Sequence, residues 1–451
     1  MKSVALHNLG CKVNSYEIEV MQQKLQENGY KIVSFDSKAD VYIVNTCTVT
    51  NIADRKSRQM LHRAKKMNPE AVVVATGCYV QTGEKMVEQD PCIDLAIGNN
   101  RKKDIVEILE AFLLERENGG TCDYNSDIID IGHTKEYEEM TLVQTGEHTR
   151  AYIKIQDGCN QFCSYCIIPF ARGRVRSRKP DDVLAEIRGL ADKGYKEVVL
   201  TGIHISSYGM DFIHPEKDAP CLLNLIESIA EVEGIERIRL GSLEPRIITE
   251  KFAKRLAAIP KICPHFHLSL QSGCDETLKR MNRHYTTGEY YERVKILRRA
   301  FENPAITTDV IVGFPQESEE EFERTKLFLE KVHFFEMHIF KYSRRRGTVA
   351  DRLPGQLTEA VKQGRSAQLL SMEAEHSRQY REDYIGKVAE ILVEEKKEIN
   401  GKNYWIGHTK TYVKGAVEAR EDGPQDMQNQ LVSGRVQRLL TDDVILLEEI
   451  R

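Results

Sequence analysis

Three cysteines, at positions 159, 163 and 166, follow directly on residues 151–155 (AYIKI), which alternate in the manner of a strand. The thiols therefore sit on a short loop leaving a strand, within 157–174 (DGCNQFCSYCIIPFARGR). Thiolates are soft ligands suited to iron–sulfur clusters or to zinc. Three of them leave one iron of a four-iron cubane open to a further ligand. The alternatives are a small zinc knuckle or cysteines buried as small apolar side chains. No fourth thiol or histidine lies nearby to close a zinc tetrahedron.

A second trio emerges from the pattern of residues 1 to about 115. Short apolar strands at 3–7, 41–45, 71–76 and 93–97 alternate with helices to about 28, at 52–67, 84–89 and 101–115. That alternation predicts a parallel sheet, flavodoxin-like in style. Cys11, Cys47 and Cys78 each follow the C-terminal end of a predicted strand. In an open α/β sheet those ends converge on one crevice, so the three thiols become neighbours and a second site-open cluster. The competing reading is three separate core or turn cysteines. Cys92 and Cys122 do not fit the pattern and read as structural or incidental.

Residues about 116–148 are rich in Gly, Asp and Glu, show no sustained period, and read as a surface connection. From about 149 to 372, six strands (151–155, 197–201, 236–240, 265–270, 307–312 and 336–340) alternate with helices, two units short of an eight-fold barrel. Active groups should gather at the C-terminal strand ends. That rule selects Gly202, Ser242, Glu244, Gln271 and Asp309, with Ser269 and Gly313 beside them. Each alone also reads as a cap, a turn or a satisfied core group. His265 and His267 share a strand face, but no motif supports a metal there.

From about 373 the chain is helical to about 380. It then switches to five short alternating strands with Gly turns, which predicts a small antiparallel β-barrel. The chain has 451 residues, enough for roughly two to four domains. Its net charge of −5 excludes a whole-chain basic signal, so any nucleic-acid site must be a local patch. Two patches qualify. Arg172, Arg174, Arg176 and Arg178 recur at every second residue, and Arg344 and Arg345 lead a run after the last central strand. In the C-terminal barrel Tyr404, Trp405, Tyr412 and Lys414 offer stacking and charge for RNA. Solvated surface charge and a tryptophan-centred barrel core are the plain alternatives. No run approaches the roughly 20 apolar residues of a membrane span. No signal-peptide core is seen, and eleven cysteines without secretory features point to a reducing compartment and metal chemistry.

The string GCNQFCSYCIIPFARGRVRSR, with Tyr165 before the last cysteine, resembles the radical S-adenosylmethionine (SAM) signature and, within it, the methylthiotransferase branch. LGCKVNSYEIE, VNTCTVTNIADRKSRQ and ATGCYVQ resemble that family's N-terminal module, and the last domain resembles a TRAM domain. The resemblance implies an α/β multidomain enzyme with the partial (β/α)6 barrel of radical SAM proteins. It implies domains at 1–115, 149–372 and 373–451 joined by the linker 116–148. Two 4Fe-4S clusters are implied, one on Cys159, Cys163 and Cys166 and an auxiliary one on Cys11, Cys47 and Cys78. The first binds SAM and yields a 5′-deoxyadenosyl radical. Tyr165, Arg174 and the strand-end residues are then SAM contacts, and Arg176, Arg178, Arg344, Arg345, Tyr404, Trp405 and Lys414 RNA contacts. Implied partners are a tRNA anticodon stem-loop, an electron donor such as flavodoxin or ferredoxin, and a sulfur donor. The chain is expected to be a cytoplasmic monomer without membrane contact.

Within the family, GCKVN and NTCTVTNIADRKSRQ resemble the branch acting on N6-threonylcarbamoyladenosine at position 37 of tRNA. The isopentenyladenosine branch usually has GCQMN, and a third branch modifies a ribosomal-protein aspartate. A non-enzymatic iron–sulfur electron carrier with an RNA-binding tail would instead be reduced without cleaving SAM.

Overall fold

In the computed structural model, residues 2–118, 128–144, 149–212, 221–420 and 424–449 are described; Cys122 lies outside them. Val41–Thr46 and Val72–Gly77 are buried along their whole length, as strands covered on both faces must be. They are β3 and β4 of a five-stranded parallel sheet with β1 (Ser3–Asn8), β2 (Lys31–Val33) and β5 (Leu95–Ile97). The order is β2-β1-β3-β4-β5, that of a doubly wound sheet of the flavodoxin kind. β2 was not expected from the sequence, because a three-residue edge strand leaves no apolar run to read. Helices α1 (Lys12–Glu27), α2 (Asn51–Met67) and the short α3 (Cys78–Thr82) start where β1, β3 and β4 end.

The central strands are β6 (Arg150–Asp157), β7 (Arg176–Ser177), β8 (Glu197–Gly202), β9 (Arg237–Leu240), β10 (His265–His267), β11 (Ala305–Val312) and β12 (Glu336–Lys341). β6-β8-β9 and β10-β11-β12 are parallel triplets. Parallel bridges Ile238–Ile262 and Leu243–Leu268 join them into one row of six. Among the described residues β12 pairs with β11 alone, so the row stays open. β7 is a two-residue antiparallel addition to β6. One continuous apolar core lies between this row and its helices.

After the helix Glu359–Glu382, strands β13 (Val388–Ile399), β14 (Lys402–Thr409), β15 (Lys414–Glu418), β16 (Leu431–Thr441) and β17 (Val444–Glu449) close in the order β13-β14-β15-β17-β16. The expected barrel is present, but it is not antiparallel throughout, since β15 and β17 run parallel. Five strands closed in a ring cannot alternate direction at every pairing, so one parallel pair is unavoidable.

The connecting stretch differs from a surface loop. Ile131, Met140 and Leu142 are each no more than 3% exposed. Tyr137 donates to the Lys154 carbonyl (2.8 Å) and Tyr16 to that of Met140 (2.6 Å). Residues 128–144 thus strap the first sheet to the central strands. No helix among the described residues is long and apolar enough to cross a membrane.

Candidate active site: two cysteine trios and the arginine between them

Each trio begins with a glycine in a left-handed backbone. Gly10, Gly77 and Gly158 have φ of +114°, +96° and +72°, and each stands immediately before a cysteine. At Gly158 a Cβ would lie 1.8 Å from the Arg174 carbonyl oxygen, and at Gly77 2.6 Å from that of Thr46. Only glycine allows the chain to turn this tightly off a strand and present the next side chain. In the distributed trio this Gly-Cys step marks Cys11 and Cys78 only, since Cys47 follows Thr46.

The sheet brings Cys11, Cys47 and Cys78 into one group. A Cβ on Gly10 would sit 3.1 Å from the Cys47 sulfur, and the three thiols are electrostatic neighbours. Asn14 clamps two of the loops, donating to the carbonyls of Leu9 (2.7 Å) and Thr46 (3.0 Å), while Asn45 donates back to the Asn14 carbonyl (3.0 Å). Burial pushes the Cys47 thiol up to about 11. In the second trio burial pushes Cys159 up to about 11 and Cys166 up to about 12. Arg283 donates to the Cys163 sulfur (3.3 Å) and to the Tyr285 hydroxyl (3.0 Å).

Arg172 ties the trios together. It ends the helix Ile168–Arg172 that follows the CxxxCxxC loop, and its Nε donates to the Cys78 sulfur at 3.2 Å. Its other nitrogens reach Asn14 (2.6 Å), Asp157 (3.2 Å) and Glu17. Glu17 also takes Lys102 and Lys154, the latter at 2.6 Å, and all these groups are buried. Burial alone would raise the Glu17 carboxyl. Arg172, Lys102 and Lys154 outweigh it and hold the group well below the usual carboxylate range. Glu17 was not singled out from the sequence, since a glutamate in an amphipathic helix looks like any solvated charge.

The donor sets fit clusters better than a single ion. In neither trio do all three sulfurs lie within 4.8 Å of one another. A zinc tetrahedron with Zn–S near 2.3 Å needs edges of roughly 3.8 Å. The contacts Arg345–Thr48 (2.6 Å), Arg345–Asp54 (2.7 Å), Asn51–Ser343 (3.2 Å) and Asn99–Ala171 (2.7 Å) press the cysteine-bearing strand ends against the C-terminal ends of the central strands.

The strand-end residues have mixed fates. Ser242 is exposed, Gln271 is 8% exposed with φ +73°, and Glu244 accepts from Arg246 at 2.8 Å. At Gly202 a Cβ would meet the Gln156 carbonyl oxygen at 2.9 Å, so what comes close there is β6, not open space for a ligand. Tyr165 packs edge-on to Phe314, with ring centroids 6.4 Å apart. Asp309 pairs with His267 (3.2 Å), and the donor atoms of His267, Asp309 and His338 all lie within 4.8 Å. His204 hydrogen-bonds Ser207 through Nδ1 (2.7 Å) while its buried Nε2 has no partner. Burial, aided by Arg283 and Arg246, lowers His204 to about 4, so it is neutral at physiological pH.

The expected RNA contacts are largely corrected. Arg172, Arg176 and Arg178 are at most 1% exposed; Arg178 pairs with Glu186, and Arg176 lies 4.0 Å from Asp157. β7 folds this stretch onto β6, so the alternate guanidinium groups point into an acidic interior. Only Arg174 of the row is exposed, over the Phe162 ring at 4.6 Å. Arg345 is 7% exposed in the contact with Thr48 and Asp54, and Arg344 is exposed but paired with Asp351. Tyr404 and Trp405 are 4% and 5% exposed and belong to the barrel's apolar clusters, as the largest groups available to so small a core. Lys414 is partly exposed and sits 3.4 Å from Asp443. Tyr412, between β14 and β15, stacks on His408 of the barrel (4.7 Å) and reaches across to the central strands. It stacks on His265 (5.0 Å) beneath the central strands, with Arg239 and Arg150 over its ring at 4.8 and 5.0 Å.

The Radical SAM superfamily model matches residues 153–329, and that of the uncharacterized protein family UPF0004 matches residues 3–98. The chain is similar to the threonylcarbamoyladenosine tRNA methylthiotransferase MtaB of Bacillus subtilis (strain 168). The two are 41% identical over 94% of this chain and 92% of that one. It is 36% identical, over 91% of each chain, to the tRNA-2-methylthio-N(6)-dimethylallyladenosine synthase of Thermodesulfovibrio yellowstonii. Among solved structures it resembles the radical S-adenosylmethionine methyltransferase TsrM from Kitasatospora setae. The TM-score is 0.57 at 16% identity, covering 77% of each chain, which is a likeness of fold alone.

Proposed function

The chain belongs to the radical SAM tRNA methylthiotransferases, and on that premise we propose how its residues divide the work. It is an enzyme that adds a 2-methylthio group to N6-threonylcarbamoyladenosine at position 37 of tRNA. The observation that carries this reading is the 41% identity to the Bacillus subtilis enzyme across nearly the full length of both chains. Cys159, Cys163 and Cys166 are the residues to hold a 4Fe-4S cluster, and Cys11, Cys47 and Cys78 to hold a second, auxiliary one. When bound, such clusters with SAM supply one-electron reduction, the 5′-deoxyadenosyl radical and the sulfur to be inserted.

The protein's own part is placement and shielding. Arg172 fixes the distributed trio against the central strands, and Arg283 holds a positive charge at the Cys163 sulfur. The neutral His204, the turn at Gln271 and the exposed Ser242 offer polar groups to SAM at the strand ends. Arg174 over Phe162 gives an exposed cation and ring at the rim, suited to phosphate and base. Lys414 and Arg344 stay available as peripheral phosphate contacts. Domains at about 1–115, 149–372 and 373–451, a partial (β/α)6 barrel, a TRAM-like last domain, a cytoplasmic monomer, and supply by an electron donor and a sulfur donor complete the reading. Nucleoside mass spectrometry of tRNA from cells lacking the gene tests it. The 2-methylthio derivative of N6-threonylcarbamoyladenosine is expected to vanish, and its persistence without a second such enzyme rejects the substrate.

A further inference from the structure

His267, Asp309 and His338 come from three neighbouring parallel strands, β10, β11 and β12. Asp309 is directly paired with His338, and His267 with Thr307, two residues before Asp309. Residues two apart on a strand share a face, so this register puts all three on one face of the sheet. The residues alternating with them, Phe266, Val310 and Met337, belong to the apolar core beneath the helices. The three side chains therefore face the inside of the row. Below them His265 stacks on Tyr412 at 5.0 Å. Two residues beyond His267, the Ser269 carbonyl accepts from Arg283 (3.4 Å), which also donates to the Cys163 sulfur (3.3 Å). The group thus lies between the floor of the row and the loop trio.

The donor geometry is that of a metal site. The three donor atoms all lie within 4.8 Å of one another, a condition neither cysteine trio meets. His267 Nε2 and Asp309 are 3.2 Å apart. Neighbouring ligands on bonds of about 2.0–2.1 Å are separated by roughly 3.0–3.4 Å. His267 Nδ1 is hydrogen-bonded to the Thr307 hydroxyl (3.1 Å), the kind of outer contact that orients a ligating imidazole. His338 is stacked on His267, with ring centroids 5.8 Å apart and 22° between the planes. A shared proton accounts for the His267–Asp309 pair, but not for a second imidazole bringing its donor atom to the same place. We propose that His267, Asp309 and His338 bind one divalent first-row transition-metal ion, distinct from the iron–sulfur clusters. Two imidazoles and a carboxylate suit such ions and leave positions open for water or another oxygen donor. The His267 and Asp309 side chains are 12% and 29% exposed and His338 is exposed, so the open positions lie on the β12 side.

Zinc is the probe, added to full-length enzyme with both clusters reconstituted so that the six cysteines are occupied. After gel filtration removes unbound ion, elemental analysis is expected to find about one zinc per wild-type chain, with iron unchanged. X-ray absorption at the zinc edge should show nitrogen and oxygen neighbours at about 2.0–2.1 Å and no sulfur near ~2.3 Å. His338→Ala and Asp309→Asn should each lower bound zinc roughly tenfold or more while iron content stays at the wild-type level. The retained iron shows that the variants are folded, and His338, being exposed, is the milder change. Wild type that retains no zinc overturns the proposal, as does zinc kept at full level in either variant. Sulfur in the zinc shell overturns it too. His62, Asp90 and Cys92 meet the same distance condition, and an ion held there would have a sulfur neighbour and be lost in Cys92→Ser.

Discussion

Cys159, Cys163 and Cys166 are spaced by one loop, whereas Cys11, Cys47 and Cys78 are spaced by three strands of a sheet. The first trio needs only the turn at Gly158 and the strand before it. The second exists as a set only while β1, β3 and β4 keep their register and while Arg172, from another part of the chain, holds Cys78 at 3.2 Å. A local site is set by sequence spacing, and a distributed one by tertiary structure. The two should therefore fail differently when perturbed.

Removing a ligand gives the largest effect. Cys159→Ala and Cys78→Ala should each halve the iron, from ~8 to ~4 per chain if each trio holds a four-iron cluster. Both should bring methylthiolation below detection. Only Cys159→Ala should also abolish 5′-deoxyadenosine formation from SAM, as measured by chromatography of the quenched reaction. If Cys78→Ala abolishes it as well, the two trios do not work as separate centres.

Glu17→Ala comes next. It leaves Lys102, Lys154 and Arg172 buried around a missing anion, a loss of about 3–5 kcal/mol for a broken buried pair. Because Arg172 also serves Cys78, the variant should lose iron selectively from the distributed trio while the loop trio stays loaded. Iron analysis alongside SAM cleavage reads this. Equal loss from both sites would mean that Glu17 supports general folding and not the distributed trio.

The same contrast explains which features could be read from sequence. CxxxCxxC after AYIKI needed no tertiary information. The strand–cysteine repeat needed one rule, that parallel strand ends converge, and the sheet order β2-β1-β3-β4-β5 obeys it. The arginine row failed because alternation predicts a shared face but not which face. β7 turned Arg176 and Arg178 toward Asp157 and Glu186 instead of solvent. Trp405 failed similarly, since an aromatic on a short strand is equally suited to stacking and to filling a core. Glu17 and Tyr412 had no readable signal, because their partners lie more than a hundred residues away in Arg172 and His265.

The glycines give a smaller effect and test whether both trios depend on backbone alike. Gly158→Ala and Gly77→Ala each force a left-handed residue, at about 1–3 kcal/mol for the strained backbone. Gly158→Ala adds the more severe overlap, 1.8 Å against 2.6 Å. Thermal melts should place Gly158→Ala lower. If Gly77→Ala is the worse variant, the sheet is the less forgiving frame.

Acid gives the smallest effect, and the two buried Arg–Glu pairs should respond with opposite sign. Glu17 is held well below the ordinary glutamate value of 4.5, and Asp157 lies below its own, 3.8, where burial is outweighed by Lys154, Arg172 and Arg176. A depressed carboxyl contributes stability that is complete above its unfolded value and is lost as pH falls through the folded one. This network should thus be indifferent to pH from 8 down to about 5 and weaken only below ~4.5. Glu186 is raised instead, because burial outweighs its contacts with Arg178 and Tyr16. A raised carboxyl contributes stability that is present below its unfolded value and is lost as pH rises through the folded one. Between pH 7 and 5 Glu186 should therefore add slightly to stability on acidification, while Glu17 adds nothing. Melting temperatures of wild type and Glu186→Gln at pH 7 and 5 isolate the contribution of this carboxyl. The small rise expected in wild type should be missing from the variant, and a rise of equal size in both would assign it to another group.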